Sequence, residues 1–441
     1  MSEVTLLQML NAREERVHMQ QNIQNKHPFP LICFTMNIAG PVKTSPLIER
    51  AFYEGLKFID ENIPKELILL RHINISDTGC EAMLSINMNA EPLKNICISI
   101  EESCALGRLF DIDILDADGT KLQRDSLRGC IVCGAPGRGC AAGRLHSVHE
   151  LQKVTTKIIT EYFYSYDRER VAQLATSSLI QEVRTTPKPG LVDCRNNGSH
   201  DDMNINTFIE SANTLTSYFS ECFAIGYNTS KLNPEETFPL LRKAGIEAEK
   251  KMYDATKGVN THKGIIYSMG IICASIGRLW SPDAPIANLD DILSQCAKIV
   301  KKSVKADFES IDSSTAGGQL YLKYGFTGIR GEVAKGFPSV TNISLPIYKK
   351  YFNADLDSNF AGVITLLNLI ANVKDTNLYH RGGIDGAEFA VNTVRSLIEK
   401  SETPSTEEVI ALDNEFIKRN LSPGGCADLL AITYFLHSLD L

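Results

Sequence analysis

The sequence lacks any apolar run long enough to cross a bilayer. Its most apolar stretch, FAGVITLLNLIANV at 360–373, is too short and too polar. It also lacks a surplus of positive charge: 17 Lys and Arg stand against 21 Asp and Glu up to Asp167, and 28 against 32 beyond it. That argues against non-specific binding of DNA or RNA, although a local phosphate pocket is compatible with a negative total. No G-x4-G-K-[ST] loop occurs, so a Walker-type nucleotide site is unsupported. The first residues, MSEVTLLQMLNAREERVH, show no basic patch followed by an apolar core, and no secretory signal is expected. Twelve scattered cysteines without an export signal fit reduced thiols in the cytoplasm.

What is present divides in two. A length of 441 residues exceeds one ordinary core. Up to about residue 165 the periods are mixed. Helical spacing is found in VTLLQMLNAREERVHMQQNIQN and SPLIERAFYEGLKFIDENI, whereas LICFTMNIAG, AMLSINM and ICISIEE read as strands. Beyond about Lys153 the pattern is helical almost to the end, with helices expected over 207–226, 235–256, 263–280, 288–305, 359–374, 384–400, 405–419 and 425–438. The expected architecture is an α+β domain over 1–167 followed by an all-α domain over 168–441, joined within a helix rather than by a flexible linker.

Residues 108–119 read RLFDIDILDADG. In a strand, Asp111 and Asp113 share one face while Ile112 and Ile114 pack on the other. Paired carboxylates repel unless a cation offsets them, and such a pair beside a turn is a seat for Mg²⁺ in phosphoryl transfer. The plain alternative is an edge strand with a solvated acidic face. Arg108, Arg124 and Arg128 flank the pair as phosphate partners. Next, Cys130, Cys133, Cys140 and His146 stand at C-x2-C-x6-C-x5-H, close to structural zinc spacing. Free or buried thiols beside a Gly-rich phosphate loop are the alternative, with His146 and His149 capping the helix that begins at Val148.

In the second half the polar groups gather in Gly-rich connections. TTPKPGLVDCRNNGSHDDM (185–203) brings Lys188, Asp193, Asn197, His200, Asp201 and Asp202 into one loop. TKGVNTHKG (256–264) adds Lys257, Asn260, His262 and Lys263, and GFTGIRGEVAKGF (325–337) adds Arg330, Glu332 and Lys335. YHRGGIDG supplies His380, Arg381 and Asp385, and SPGGCADLLA places Asp428 at a helix start. Cations beside glycines let backbone N–H groups approach phosphate oxygens, so five such loops point to a polyanionic substrate gripped from several sides.

FTMNIAGPVK, GCEAMLSINMNA and LGRLFDIDILDADG…RGCIVC resemble holo-citrate lyase synthase, the phosphoribosyl-dephospho-CoA transferase that loads the citrate lyase acyl carrier subunit. TPKPGLVDCRNNGSHDDM, GVNTHKG, GIRGEVAKGF and SPGGCADLLA resemble triphosphoribosyl-dephospho-CoA synthase. The resemblance covers nearly the whole chain, in the order of a fusion of the two. It implies a nucleotidyltransferase-like first domain and two reactions. In the second half, the 2′-hydroxyl of 3′-dephospho-CoA would attack the ribose C1′ of ATP and expel adenine. In the first, a carrier serine would attack the α-phosphate of the product and release pyrophosphate, with Mg²⁺ on Asp111 and Asp113. Lys188, Asn197, Lys257, His262, Lys263, Arg330 and Arg381 are candidates for phosphate or substrate binding. Asp193, His200, His262, Asp201, Asp202 and Glu332 are candidates for catalysis or Mg²⁺. Neither nucleic acid nor membrane is an expected partner. Two other readings compete: a generic nucleotidyltransferase fused to a helical metal-dependent phosphohydrolase, and a non-catalytic regulator that binds the carrier.

Overall fold

We describe a computed structural model over residues 2–124, 128–135, 137–310, 316–352 and 357–439. The chain forms two compact units, Met1–Tyr166 and Asp167–Leu441.

The first unit is built on a four-stranded antiparallel sheet in the order β2-β3-β1-β4. The strands are β1 (Leu31–Met36), β2 (Ile68–Ser76), β3 (Gly79–Ile86) and β4 (Phe110–Leu115). Alternation sorts their side chains. On one face Ile32, Phe34, Ala82, Leu84, Phe110, Ile112 and Ile114 are buried. Helix α2 (Pro46–Asn62) presents Ala51, Phe52, Leu56 and Ile59, and α3 (Ala90–Glu102) presents Leu93, Cys97 and Ile100, as the apolar sides that pair with such a face. Phe34 stacks on Phe52 with ring centroids 4.9 Å apart. Ser45 and Pro46 start α2, the serine hydroxyl accepting the Ile48 N–H.

The opposite face is split. Helix α1 (Leu6–Lys26) sets Ile23 and Met19 against Leu31, Cys33, Met83 and Leu115, and from there the face turns polar. The segment ICISIEE is not the strand its β-branched residues suggest. It closes α3, because Leu93, Cys97 and Ile100 recur at helical intervals and bury together. β2, an edge strand of alternating partial exposure, was not among the expected strands. After the short α4 (Gly137–Gly143), Ser147 starts α5 (Val148–Arg184) in a reciprocal pair with Glu150, so a serine takes the capping role expected of His146 and His149. The unit boundary falls within α5.

The second unit is helical: α6 (Ile205–Asn228), α7 (Thr237–Ala255), α8 (Lys263–Leu279), α9 (Leu289–Glu309), α10 (Ala316–Tyr324), α11 (Gly328–Ala334), α12 (Leu345–Phe352), α13 (Ser358–Asn372), α14 (Thr376–Lys400), α15 (Thr406–Lys418) and α16 (Gly424–Ser438). Three of these are apolar nearly all round: 12 of 17 residues are buried in α8, 10 of 15 in α13 and 9 of 15 in α16. Helices of that composition belong in the middle of a core. Because α8 and α16 are central, the Gly-rich loops that open them are carried inward. α14 begins before the expected 384 and is kinked at Gly383, whose φ of 65° no L-residue adopts readily.

Candidate active sites

The second unit encloses a cavity of about 720 Å³. Its wall includes the first residues of α8 (His262, Lys263, Gly264), α14 (Asp375, Thr376, Asn377) and α16 (Gly424, Gly425). Three helix N-termini thus lie around one space, an arrangement suited to anions, with part of their N–H groups already capped by Asp375 and Asn260. Lys188, His200, His262, Lys263, Glu332 and Arg381 of the sequence candidates line it, whereas Asp193, Asn197, Asp201, Asp202, Lys257 and Arg330 do not.

Most of the lining candidates already have partners. Lys188 is buried, and its ammonium donates to the Glu182 carboxylate at 2.5 Å and to the Glu182 carbonyl at 2.8 Å. Glu332 accepts from the Ser339 hydroxyl (2.8 Å) and backbone N–H (3.1 Å). Arg381 donates to the Ser199 carbonyl and to Asn420, and so ties two loops together. Lys263 pairs with Glu249 at 3.2 Å. His200 sits 2.9 Å from the Ser422 hydroxyl, and burial with Arg381 nearby pushes its pKa down.

His262 is buried edge-on to Phe208, with Nδ1 2.7 Å from the Ser211 hydroxyl. Thr261 donates to the same hydroxyl at 2.7 Å, which leaves the Ser211 proton free for Nδ1 and accords with a ring proton on Nε2. Burial, with Lys188 adding, lowers the imidazole pKa to about 3, and the ring is neutral at physiological pH.

The candidates outside the wall build the loop. Asp193 accepts the backbone N–H groups of Lys188 (2.9 Å), Arg195 (2.7 Å) and Asn196 (3.1 Å). Arg330 pairs with Asp307 at 3.4 Å, and Asn197, Asp201, Asp202 and Lys257 are exposed.

Three acids complete the cavity, and two of them, Glu182 and Asp375, were not anticipated. Asp375 caps two helices, accepting the N–H of Asn377 (2.8 Å) in α14 and of Cys426 (2.7 Å) in α16. Asp428 has no protein hydrogen bond or ion pair among the described residues. Its carboxylate lies against Gly264, where a β-carbon would come within 2.1 Å of Oδ2, so only glycine admits it there. Burial raises the carboxyls of Glu182, Asp375 and Asp428, the last well above its usual range because Glu182 and Asp375 add their charge. The signal for Asp375 was an Asx cap before an amphipathic helix. For Glu182 there was none, since its partner lies across the loop that follows.

In the first unit Asp111 and Asp113 do share a face of β4, with Ile112 and Ile114 buried behind them. The register sets Thr35 beside Asp111 and Cys33 beside Asp113, and Glu81 lies beyond Thr35. Asp113 is paired with Lys121, and Arg16 holds Glu81 at 2.6 Å. Asp111 has no such partner among the described residues and reaches solvent on one side. Protein packed on its other sides raises its carboxyl pKa, with the Asp113 charge adding.

The neighbouring arginines are turned to the protein. Arg124 joins Glu101 (2.9 Å) and Glu102, Arg128 joins Glu101 (3.3 Å) and the carbonyls of Phe110 (2.5 Å) and Gly107 (2.6 Å), and Arg108 reaches the Gly129 carbonyl (2.5 Å). Two α3 side chains, seven residues apart and hence on one side of the helix, hold the backbone between the aspartates. Glu101 accepts the Ile112 N–H (3.0 Å) and the Lys94 ammonium donates to the Ile112 carbonyl (3.0 Å). They fix the free edge of β4; reading ICISIEE as a strand concealed Glu101, and Lys94 lies just before that segment.

Two family models match along the chain. Residues 4–162 match the CitX family, apo-citrate lyase phosphoribosyl-dephospho-CoA transferase, and residues 168–441 match the CitG family, ATP:dephospho-CoA triphosphoribosyl transferase. The chain is therefore an enzyme with two transferase units in tandem. The same order occurs in Protein CitXG of Haemophilus influenzae, 36% identical over 99% of this chain and 97% of the relative, and in Protein CitXG of Leuconostoc mesenteroides subsp. cremoris, 34% identical over the same shares. A 2-(5''-triphosphoribosyl)-3'-dephosphocoenzyme-A synthase of Haemophilus ducreyi is 35% identical over 70% of this chain and 99% of its own. The chain belongs to the CitXG family, fusions that make triphosphoribosyl-dephospho-CoA and transfer it to the citrate lyase acyl carrier. The hydrolase-fusion reading falls to these matches.

Proposed function

We propose that the cavity of the second unit holds ATP and 3′-dephospho-CoA, with Asp428 as the base. The reading rests on one observation: a carboxylate without a protein partner among the described residues, raised in pKa, stands among three helix N-termini in a wall whose other acids are hydrogen-bonded. The N-termini of α8, α14 and α16, with Lys263 and Arg381, take the triphosphate. Asp428 accepts the proton of the dephospho-CoA 2′-hydroxyl as its oxygen bonds to the ribose C1′. The C1′–N9 bond of ATP breaks, and adenine leaves with a proton from solvent. Neutral His262 offers its Nε2 proton as a hydrogen bond without adding charge.

In the first unit the hydroxyl of a carrier serine attacks the α-phosphate, and the bond to pyrophosphate breaks, as in nucleotidyl transfer. Asp111 and Asp113 would hold Mg²⁺, which supplies charge neutralisation for the departing pyrophosphate. Two adjacent carboxylates, one without a protein partner, fit that demand. Lys121 balances Asp113 until substrate arrives. Arg108, Arg124 and Arg128 act by holding the loop beside β4. No helix among the described residues is long and apolar enough to cross a membrane, and every cysteine is free, which supports a cytoplasmic enzyme.

The test uses full-length protein with ATP, dephospho-CoA and the citrate lyase acyl carrier, following adenine by chromatography and carrier by intact mass. Asp428→Asn should abolish adenine release yet transfer preformed triphosphoribosyl-dephospho-CoA. Asp111→Asn should do the reverse. Release of ADP or phosphate instead of adenine, or loss of both activities in either folded variant, would overturn the assignment.

A further inference from the structure

One side-chain cluster has no part in either reaction. The sulfurs of Cys130, Cys133 and Cys140 and an imidazole nitrogen of His146 all lie within 4.8 Å of one another. Cys133 Sγ is 3.4 Å from Cys140 Sγ and 3.3 Å from His146 Nε2. Tetrahedral zinc with bonds of about 2.3 Å to sulfur and 2.0–2.1 Å to nitrogen places its ligands ~3.5–3.8 Å apart. Two of the pairs are slightly closer than that and none is more than 4.8 Å apart, so small side-chain shifts bring the set onto one ion.

The backbone is shaped to the same end. The Val132 N–H points at Cys130 Sγ (3.4 Å), and the Gly134 N–H closes a turn on the Cys130 carbonyl (2.9 Å). Gly134 has φ 74°, which lets the chain turn back directly after the second cysteine. The Cys130 N–H in turn meets the Ala135 carbonyl at 2.6 Å. N–H groups directed at sulfur stabilise a thiolate, the form that binds metal. Cys140 lies in the middle of α4, and His146 precedes the Ser147 cap of α5, so helical elements position the third and fourth ligands.

We infer that Cys130, Cys133, Cys140 and His146 form a structural zinc site. Three thiolates and an imidazole are a soft donor set that selects zinc over Mg²⁺ or Ca²⁺. Four protein ligands leave no open position, so the ion serves folding and not chemistry. What it fastens is the segment carrying Arg128 and Gly129. Arg128 reaches the Phe110 and Gly107 carbonyls, and Gly129 accepts from Arg108. The zinc thereby anchors the loop that braces the start of β4, next to Asp111.

Full-length protein from zinc-supplemented growth, purified under reducing conditions without chelator, should contain about one zinc per chain by elemental analysis. Cys133→Ser and Cys140→Ser should each lower this ~10-fold or more, whereas His146→Cys, which restores a tetrahedral donor, should retain it. Cys194→Ser, an exposed cysteine of the other unit, should leave zinc unchanged. Carrier loading should fall on zinc removal while adenine release persists. Should the serine variants fail to fold, Co²⁺ in the wild-type protein decides, by visible bands of tetrahedral cobalt and thiolate-to-metal charge transfer. Metal-free wild-type protein with reduced thiols and no such bands would overturn the site. So would a Cys133–Cys140 disulfide in freshly isolated protein, or zinc retained in both serine variants.

Discussion

Lys188→Met offers a sharp measurement. The Lys188 side chain is 1% exposed and that of its salt-bridge partner Glu182 7%, so removing the lysine leaves a buried carboxylate with no cation in contact. Breaking one side of a buried pair costs about 3–5 kcal/mol, whereas replacing both sides by apolar groups is often neutral. Here the Glu182 carbonyl also loses its donor, which costs about 1–3 kcal/mol in either case. Lys188→Met should therefore be destabilised by ~4–8 kcal/mol, and the double variant Glu182→Met/Lys188→Met by only ~1–3 kcal/mol. The single variant carries a pH signature as well. Burial raises the Glu182 carboxyl, and Lys188 is the chief group opposing that rise. Without it the folded state keeps a proton that the unfolded state releases above ~4.3. The folded state then binds more protons, so stability falls with rising pH by up to ~1.4 kcal/mol per unit and recovers toward acid. The double variant lacks this slope. The single tryptophan is a suitable probe, because Trp280 is buried in the same unit and donates to Asp167 at 2.8 Å. Urea unfolding followed by its fluorescence, at several pH values, reads the second unit alone. Equal stabilities for the single and double variants, or parallel pH profiles for Lys188→Met and wild type, would refute the reasoning.

Gly264→Ala should displace the Asp428 carboxylate, cutting adenine release by ~100-fold while transfer from preformed substrate persists, as steady-state rates of each half-reaction would show. Lys121→Met removes a charge that holds the Asp111 carboxyl down, so the acid limb of carrier loading should move to higher pH in a pH–rate profile. His262 is held neutral by burial, so between its ordinary value and about 3 the unfolded state binds the extra proton and stability falls as pH falls. His262→Gln should remove that dependence in the same fluorescence titration, and adenine release should show no basic limb attributable to this ring.

The Asp111–Asp113 pair was legible because strand alternation is local: two positions apart means one face, whatever else the chain does. The cavity was half legible. The Gly-rich loops marked where side chains of the site would come from, since helix starts carry unpaired N–H groups wherever they occur. Which loop residues face the cavity was not. Asp193, at the centre of the richest motif, spends its oxygens on the backbone of its own loop, whereas Asp428, one acid at a helix start, is left without a partner. The pairing of Lys188 with Glu182 could not be foreseen either, because a lysine in a proline-flanked loop looks the same whether it points out to phosphate or back to a helix end.

Sequence by itself determined the element types of the second unit, the α+β character of the first, and the pair of transferase activities. Each is written in short-range periodicity or in motifs several residues long. Tertiary structure alone decided which charges are already neutralised by the protein and which are left to act. That depends on distances between residues far apart in the chain, and a carboxylate's availability is a property of its neighbours rather than of its position.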